Sequence, residues 1–388
     1  MITIGTLTSR ERVLLALDHK EPDRVPVDLG GTVVTGISRI ALRNYLEFRG
    51  ISAGPVAVNH LSGQLGLVPE SLLRELGVDV RPLNPNPPTG GAPLLSYDRG
   101  YPRFTDEWGI GWEMPASSYY FDMYEHPLAR AGSVEDVIEH QWPDATDSAR
   151  YRGLWERGKQ LSAEDATAVV AGRMGAGIFE LSLWLRGFEQ FYTDLACDPG
   201  LACSILDKVL EIKMDYWSRL LEEGGDSVTV VGEADDLASQ NGLLISPEMY
   251  RKYVKPRHAK LFSHIKRQAP HVRIFLHSCG AVFDLIEDLI ESGVDILNPV
   301  QTSARGMDPV RLKRVFGQDV VFWGAGVDTQ NTLPYGSAQD VRDNVRRALD
   351  VFAPGGGYVF ATIHNIQADV PPANIAALFE AFEDYRGY

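Results

Sequence analysis

Cysteine is scarce in this chain. Three cysteines occur in 388 residues, at Cys197, Cys203 and Cys279, which is too few for a framework of disulfide bonds. The first residues, 1–6, lack a basic head followed by an apolar core, so we expect no signal peptide. Together these absences predict a protein of a reducing compartment, and we assign it to the cytoplasm.

Long apolar runs and excess positive charge are also lacking. No uninterrupted apolar run reaches the roughly 18 residues that a membrane span needs, so we expect no membrane-spanning segment. Lys and Arg number 37 against 52 Asp and Glu, which gives a formal net charge of -15. An acidic surface repels phosphate groups, so we expect neither nucleic acid nor an anionic membrane as a partner.

Strands and helices alternate along most of the chain. Hydrophobic residues make up 44% of it, which is ample for a large core. Turn residues and helical patterns separate eight apolar runs, which predict strands at 25–29, 78–82, 169–171, 227–231, 273–276, 295–299, 320–324 and 358–361. This order predicts an α/β fold, a TIM (β/α)8 barrel. A doubly wound sheet is the alternative, but Gly324-Ala325-Gly326 lacks the third glycine of a dinucleotide fingerprint.

The N-terminal part carries segments that a bare barrel does not need. Thr8 to Glu11 has the sequence of a helix capping box. The other predicted segments are helices over 39–48 and 69–76, a proline-rich loop over 83–93, a hairpin or mouth-covering insertion over 106–112, and a charged connection over 127–142. We therefore predict one barrel domain over 1–388, with N-terminal helical and loop extensions and a lid region within about 30–165.

A histidine and a cysteine end one of the predicted barrel strands. His277 and Cys279 stand at positions i and i+2, which share one face of an extended chain roughly 6.5–7 Å apart. A zinc ion fits between an imidazole nitrogen at about 2.0 Å and a thiolate at about 2.3 Å. His364 follows the last predicted strand and offers a third ligand. The alternative is that each of them is an ordinary packing or loop residue.

Acidic residues follow the strand predicted over 227–231. Glu233, Asp235 and Asp236 stand where that strand ends, on the barrel face where active sites form. We predict that one of them, Glu233 first, is a fourth zinc ligand, and that all three are candidates for catalytic roles as acids. Three protein ligands with an open or displaceable position are typical of a catalytic zinc site rather than a structural one.

Six segments carry a further pattern. They are Arg10-Glu11-Arg12-Val13, Asp23-Arg24-Val25-Pro26-Val27, Ile245-Ser246-Pro247-Glu248-Met249-Tyr250, Leu276-His277-Ser278-Cys279-Gly280, Gly326-Val327-Asp328-Thr329-Gln330 and Asp369-Val370-Pro371-Pro372-Ala373-Asn374. Together they resemble the uroporphyrinogen decarboxylase superfamily, and within it the cobamide-dependent methyltransferases and O-demethylases. The resemblance runs nearly end to end and also implies a TIM barrel.

The resemblance separates two branches. The decarboxylase branch carries an arginine-rich motif after its first strand, whereas the segment from Val27 to Val33 has no arginine, so porphyrinogen decarboxylation is disfavoured. The methyltransferase branch carries a His-x-Cys…Cys zinc motif. His277 and Cys279 match its first half, and His364 stands where its second cysteine falls. A histidine nitrogen in place of a cysteine sulfur makes the ligand set harder, which disfavours a thiol as the methyl acceptor. The resemblance therefore favours the family members that cleave a methyl ether.

The resemblance implies a zinc-dependent methyltransferase of the O-demethylase type. Its substrate would be a small methoxylated, aromatic compound, and its acceptor a corrinoid (cobalamin) carried on a separate protein; a homodimer is left open. A decarboxylase or other metal-dependent lyase, and a non-catalytic barrel that binds a small ligand, are the alternatives. Aromatic side chains would either line the substrate pocket or pack in the core. The predicted substrate contacts are Trp108, Trp184, Asn298, Gln240 and Asp328.

Overall fold

A curled parallel sheet forms the centre of the molecule in the computed structural model, which describes residues 7–52, 54–164 and 166–388. Seven strands lie in the order of the chain, each hydrogen-bonded in parallel to the next. They are Val80–Leu83, Ala168–Ala171, Val230–Ala234, Arg273–His277, Ile296–Asn298, Val321–Ala325 and Tyr358–Ala361. The predicted α/β barrel is confirmed.

The predicted first strand, 25–29, closes the barrel through a single bridge rather than a full strand. Val27 pairs in parallel with Phe360, and its carbonyl accepts a hydrogen bond from Asp79 N at 2.9 Å on the other side. Pro26 has no N–H to donate, so its carbonyl alone contributes, accepting from Phe360 N at 2.8 Å. The segment therefore occupies the eighth position with fewer ladder bonds.

Alternate residues along each strand face the barrel interior, as strand geometry requires. Inward-facing Val230, Phe275 and Trp323 belong to one buried cluster, whereas their outward-facing neighbours pack beneath the helices. The helix Ser9–Leu17 contributes Val13 to the interior cluster. Its predicted capping box is present: Thr8 accepts from Glu11 N at 3.2 Å, and the Glu11 carboxylate accepts from Thr8 N at 2.8 Å.

Helices follow the barrel strands and cover the outside of the sheet. The sequence predicts one helical region around 179–191, but the structure divides it at Gly187, whose φ of 86° is left-handed. The main helices are Ile178–Arg186, Phe188–Cys197, Pro199–Gly224, Lys255–Gln268, Ile286–Glu291, Pro309–Phe316, Ala338–Phe352 and Pro372–Tyr385. Shorter turns are Gln160–Glu164, Gly225–Ser227, Pro247–Met249, Tyr250–Val254, Phe283–Leu285 and Thr332–Tyr335.

The N-terminal extensions contain helices and small antiparallel sheets. The helices are Arg39–Phe48, Glu70–Glu75, Val134–Glu139, Ser148–Tyr151 and Leu154–Lys159. Val58–His60 pairs with Leu65–Gly66, and a four-stranded sheet contains Ser96–Asp98, Tyr101–Thr105, Gly111–Glu113 and Asp122–Glu125. The predicted hairpin over 106–112 is shifted, because 106–110 form the turn between two of these strands. Outside the extensions, Ala238–Ser239 pairs with Gly242–Leu243 in the loop that follows the barrel strand Val230–Ala234.

Within the described residues, no helix has the length and apolar character to cross a membrane.

A buried carboxylate joins the elements that close the barrel. Asp79 accepts from Arg12 Nη1 at 2.7 Å, from Arg24 Nη1 at 2.8 Å and from Val27 N at 3.0 Å. Its side chain is completely buried. It therefore ties the first helix and the 25–29 segment to the start of the Val80–Leu83 strand.

We expect Asp79→Asn to lower the free energy of unfolding by roughly 3–5 kcal/mol, because it removes the buried negative charge that Arg24 pairs with and that Arg12 shares with Asp23. Denaturant unfolding of the purified chain measures the loss. Asp98→Asn is the matched control, since its ion pair with Arg103 lies on a half-exposed sheet and should cost less than about 1 kcal/mol. Equal losses in both variants would contradict this role of Asp79.

Candidate metal centre

Three potential metal ligands meet at the mouth of the barrel. His277 ends its strand, Cys279 follows two residues later, and His364 follows the last strand. One donor atom from each lies within 4.8 Å of the others. Cys279 Sγ is 3.3 Å from His277 Nε2, and the two imidazole rings have centroids 5.3 Å apart. The carboxyl ends of parallel strands bring these distant segments together.

A buried asparagine orients the first ligand. Asn298 Nδ2 donates to the Trp323 carbonyl at 2.8 Å, which directs its Oδ1 towards His277 Nδ1 at 2.6 Å. Because Oδ1 can only accept, Nδ1 carries the proton, and Nε2 presents its lone pair towards Cys279. Trp323 in turn donates from Nε1 to the Asp28 carboxylate at 3.0 Å. Asn298 therefore has the geometry of an outer-shell partner of a metal ligand.

Burial decides the protonation of the three side chains. It lowers the pKa of His277 to about 3 and that of His364 to about 4, so both imidazoles are neutral at pH 7 and able to bind a metal. Burial also raises the pKa of the Cys279 thiol well above its usual range, and the nearby Asp236 charge raises it further. A cation at this position would offset both effects and favour the thiolate.

Two acidic side chains lie beside the cluster. Asp236 Oδ1 accepts from Cys279 N at 2.8 Å and lies 4.0 Å from His277 Nε2. Glu180 was missed by the sequence analysis. Burial, followed by the charges of Asp236 and Asp235, raises the pKa of Glu180 well above its usual range. Its position in the first turn after a barrel strand, on the same face as the other site residues, is the signal that could have found it.

Glu233 is not at the cluster, so its prediction as a zinc ligand and catalytic acid is wrong. Its carboxylate accepts from Lys213 Nζ at 2.8 Å and from Trp217 Nε1 at 2.6 Å, both on the long helix Pro199–Gly224. The reason is the period of two along the strand: Val230 faces the interior, so Glu233, three residues later, faces the helices.

The Asp235 carboxylate is also turned away from the cluster, towards the start of a helix. It accepts from Phe179 N at 2.9 Å, from Glu180 N at 2.6 Å and from His258 Nε2 at 2.8 Å. It thereby caps the helix Ile178–Arg186, whose own cap residue, Gly177, has no side chain to accept these bonds. Of the three predicted acids, the structure brings Asp236 alone to the cluster.

A cavity of about 670 Å³ opens beside Cys279 and His364. Its wall includes Gln240, which accepts from Gln301 Nε2 at 2.6 Å. Gln301 in turn accepts from Gly280 N at 2.7 Å, so the glutamines are held against the loop that carries Cys279. The predicted substrate contact Gln240 therefore lies on the cavity wall, among polar groups suited to orient a ligand.

The other predicted substrate contacts lie elsewhere. Asn298 is buried beneath His277, and Asp328 stabilises its own loop by accepting from Gln330 N at 2.9 Å. Trp108 is buried against Trp142, and Trp184 packs edge-on against Trp112 with centroids 5.5 Å apart. The aromatic residues therefore follow the packing alternative, because the antiparallel sheet of the N-terminal extension needs a core of its own.

Comparisons with known proteins agree with this architecture. The profile of the uroporphyrinogen decarboxylase (URO-D) family matches residues 130–385. This chain belongs to the URO-D family. A uroporphyrinogen decarboxylase of Alkalilimnicola ehrlichii is 24% identical over 97% of this chain and 94% of its own. One of Geobacter sulfurreducens is 23% identical over 66% of this chain and 71% of its own.

A solved structure, a methyltransferase from Methanosarcina mazei, matches over 98% of this chain and 99% of its own. Its TM-score is 0.65 and its sequence identity 20%. At this identity, the likeness establishes the shared fold. The shared fold thus extends over 98% of this chain, including the part before the matched residues 130–385.

We expect the purified chain to contain about one zinc ion, bound through two nitrogens and one sulfur. Cys279→Ala and His364→Ala should each abolish stoichiometric zinc, as measured by elemental analysis after dialysis. His271→Ala is the control, because His271 is exposed and contacts Gly225 instead. Zinc retained by both cluster variants would show that the metal binds elsewhere.

Asn298→Ala should weaken zinc binding roughly 10- to 100-fold, because His277 loses the acceptor that sets its tautomer. Competition with a chromophoric chelator measures the affinity. Asn298→Asp keeps an acceptor oxygen towards His277 Nδ1 and should restore most of the loss. If the two variants bind zinc equally, the hydrogen bond of 2.6 Å does not control the ligand.

Proposed function

We propose that this protein is a zinc-dependent methyltransferase of the O-demethylase type, which moves a methyl group from a small methoxylated aromatic compound to a corrinoid on a separate carrier protein. The observation that carries the proposal is the meeting of His277, Cys279 and His364 beside an open cavity. Nitrogen and sulfur donors in this number fit zinc with a free position towards the substrate.

The donor set and its surroundings fit a catalytic metal. The imidazoles are neutral, His277 is oriented by Asn298, and Cys279 and His364 face the cavity. When bound, zinc supplies a Lewis acid for the ether oxygen. The neighbouring cavity of about 670 Å³ falls within the range of small-ligand pockets, so a single aromatic ring can enter.

The chain's own residues have distinct tasks in this proposal. Gln240 and Gln301 line the cavity and orient polar substituents of the ring through their carboxamides. Burial raises the pKa of the Asp236 carboxyl, which accepts from Cys279 N at 2.8 Å. In its protonated form this carboxyl supplies the proton that neutralises the departing phenolate oxygen. The open mouth leaves room for the corrinoid carrier. Support for methyl transfer comes from the Methanosarcina mazei methyltransferase, which has the same fold.

The test is methyl transfer to cob(I)alamin, free or on a carrier protein, followed by methylcobalamin absorbance over a panel of methoxyarenes. Cys279→Ala and His364→Ala should lower the rate by more than the roughly 100-fold that loss of an outer-shell partner costs, whereas His271→Ala keeps it. The proposal fails if zinc-replete protein transfers no methyl group from any compound of the panel.

Porphyrinogen decarboxylation is the second candidate, because relatives that bear that name match most of the chain. The segment where the decarboxylase branch carries its arginine-rich motif, just after the first strand, argues against this candidate. Asp28 is buried there, accepting from Trp323 Nε1 at 3.0 Å and from Gly31 N at 2.8 Å, and no arginine follows before Arg39. Carbon dioxide released from uroporphyrinogen, without methyl transfer, would favour this candidate instead.

A further inference from the structure

A buried histidine outside the barrel sheet takes no part in the proposed methyl transfer. His258 lies on the helix Lys255–Gln268 and is almost completely shielded from solvent. Its Nε2 is 2.8 Å from Asp235 Oδ2, and because a carboxylate oxygen can only accept, Nε2 carries the hydrogen of this bond. Its Nδ1 is 3.1 Å from the Tyr250 hydroxyl. Tyr250 and Asp235 are also buried, so the three side chains form a chain of hydrogen bonds closed to solvent.

The Asp235 carboxylate is held on the inner end of this chain. Besides the bond from His258, it accepts from two N–H groups at the start of the helix Ile178–Arg186. A Cβ at Gly177, just before that helix, would lie 1.9 Å from the Ala234 carbonyl oxygen and 2.4 Å from Asp235 Cγ. The helix start therefore packs directly on Asp235, and the side chain has one possible position.

The backbone around Asp235 holds the segment that carries two of the candidate metal ligands. We call residues 235–237 the support turn and residues 277–279 the ligand loop. Three hydrogen bonds, one from each residue of the support turn, join the two segments: Asp235 N to the His277 carbonyl at 2.7 Å, Cys279 N to Asp236 Oδ1 at 2.8 Å, and Leu237 N to Ser278 Oγ at 3.1 Å. The position of the ligand loop therefore depends on that of the support turn.

The polar character of the chain indicates a role in direction rather than in filling space. Buried polar groups lower stability unless all of them are paired, and apolar side chains could fill the gap between a helix and a strand end. Hydrogen bonds have a direction, so the bond from His258 fixes the rotamer of Asp235 as packing alone would not. Through the backbone, that rotamer sets the start of the support turn.

We propose that His258 is a positioning residue for the metal centre. Together with Tyr250 it fixes Asp235, and thereby the support turn, so that the ligand loop presents His277 Nε2 and Cys279 Sγ at their spacing of 3.3 Å. This inference rests on the metal centre of the proposed function. His258 itself touches neither metal ligand nor cavity, and it acts from a helix on the outside of the barrel by preorganising the site.

The test uses Co²⁺ in place of zinc in the full chain, because its visible spectrum reports the geometry of its ligands. His258→Asn places an N–H near the position of Nδ1, out of reach of Asp235, whereas His258→Gln places one near the position of Nε2. We expect His258→Asn to change the Co²⁺ spectrum and to weaken Co²⁺ binding roughly 10-fold, the lower end of the loss from an outer-shell partner. His258→Gln should keep both close to the wild-type values.

His264→Asn is the matched control. His264 lies on the same helix, and its partners Ser218 and Gln268 lie on helices rather than on the support turn. This variant should lower stability without changing the Co²⁺ spectrum. Denaturant unfolding of all variants, run in parallel, separates a loss of stability from a change at the metal.

A folded His258→Asn variant with the wild-type Co²⁺ spectrum and affinity would overturn the inference. A change in His258→Gln as large as that in His258→Asn would do the same, because the effect would then come from packing. If His258→Asn does not fold, Tyr250→Phe decides: it removes only the hydroxyl at Nδ1 and should shift the spectrum in the direction opposite to no change in the control, whereas an unchanged spectrum would contradict the role.

The outcome is separable from that of the proposed function. A Co²⁺ spectrum that depends on His258, with no methyl transfer from any methoxyarene, keeps the positioning role and removes the proposed function. Methyl transfer by a chain whose Co²⁺ spectrum is indifferent to His258 and Tyr250 does the reverse.

Discussion

The completely buried carboxylate of Asp79 is the constraint on which the rest of the molecule depends. A parallel sheet becomes a barrel only if its first and last strands meet, and here the closing segment around Val27 has few ladder bonds. Arg12 and Arg24 meet Asp79 at hydrogen-bonding distance, which fixes the first helix and the closing segment together. The mouth at the opposite end of the strands can then hold side chains from distant segments in one arrangement.

Closure matters because the candidate site is made from several strands. His277 and His364 lie 87 residues apart in the numbering. Their rings are neighbours because the strands that precede them are three positions apart in the same curled sheet. Asn298 comes from the strand next to that of His277, and it is held by Trp323 from the strand after it. The ligand geometry is therefore a property of four consecutive strands rather than of any local motif.

Much of this organisation was predictable from the sequence. The strand and helix order predicted the barrel, and the residues that follow the strands predicted the cluster of two histidines and a cysteine. The errors have a common cause. Glu233 and Asp235 were assigned to the site because they follow a strand, although alternation from Val230 directs both away from the interior. The segment 25–29 was predicted as a full strand, but it pairs through a single bridge, because Pro26 has no N–H to donate to the sheet.

Residues with unremarkable sequence neighbours were missed for a different reason. Glu180 belongs to no motif, and it gains its significance from the charge of Asp236, which comes from another strand end. Trp108 and Trp184 show the converse, because a sequence cannot tell whether an aromatic side chain meets a ligand or another tryptophan.

By itself, the sequence determined the barrel, its capped first helix and the three candidate ligands, because these follow from apolar period, turn residues and ligand spacing. The tertiary structure decided which acids face the cluster and which nitrogen of His277 is turned towards Cys279. Those depend on the direction of side chains and on hydrogen bonds between strands far apart in the chain, and local patterns carry no information about either.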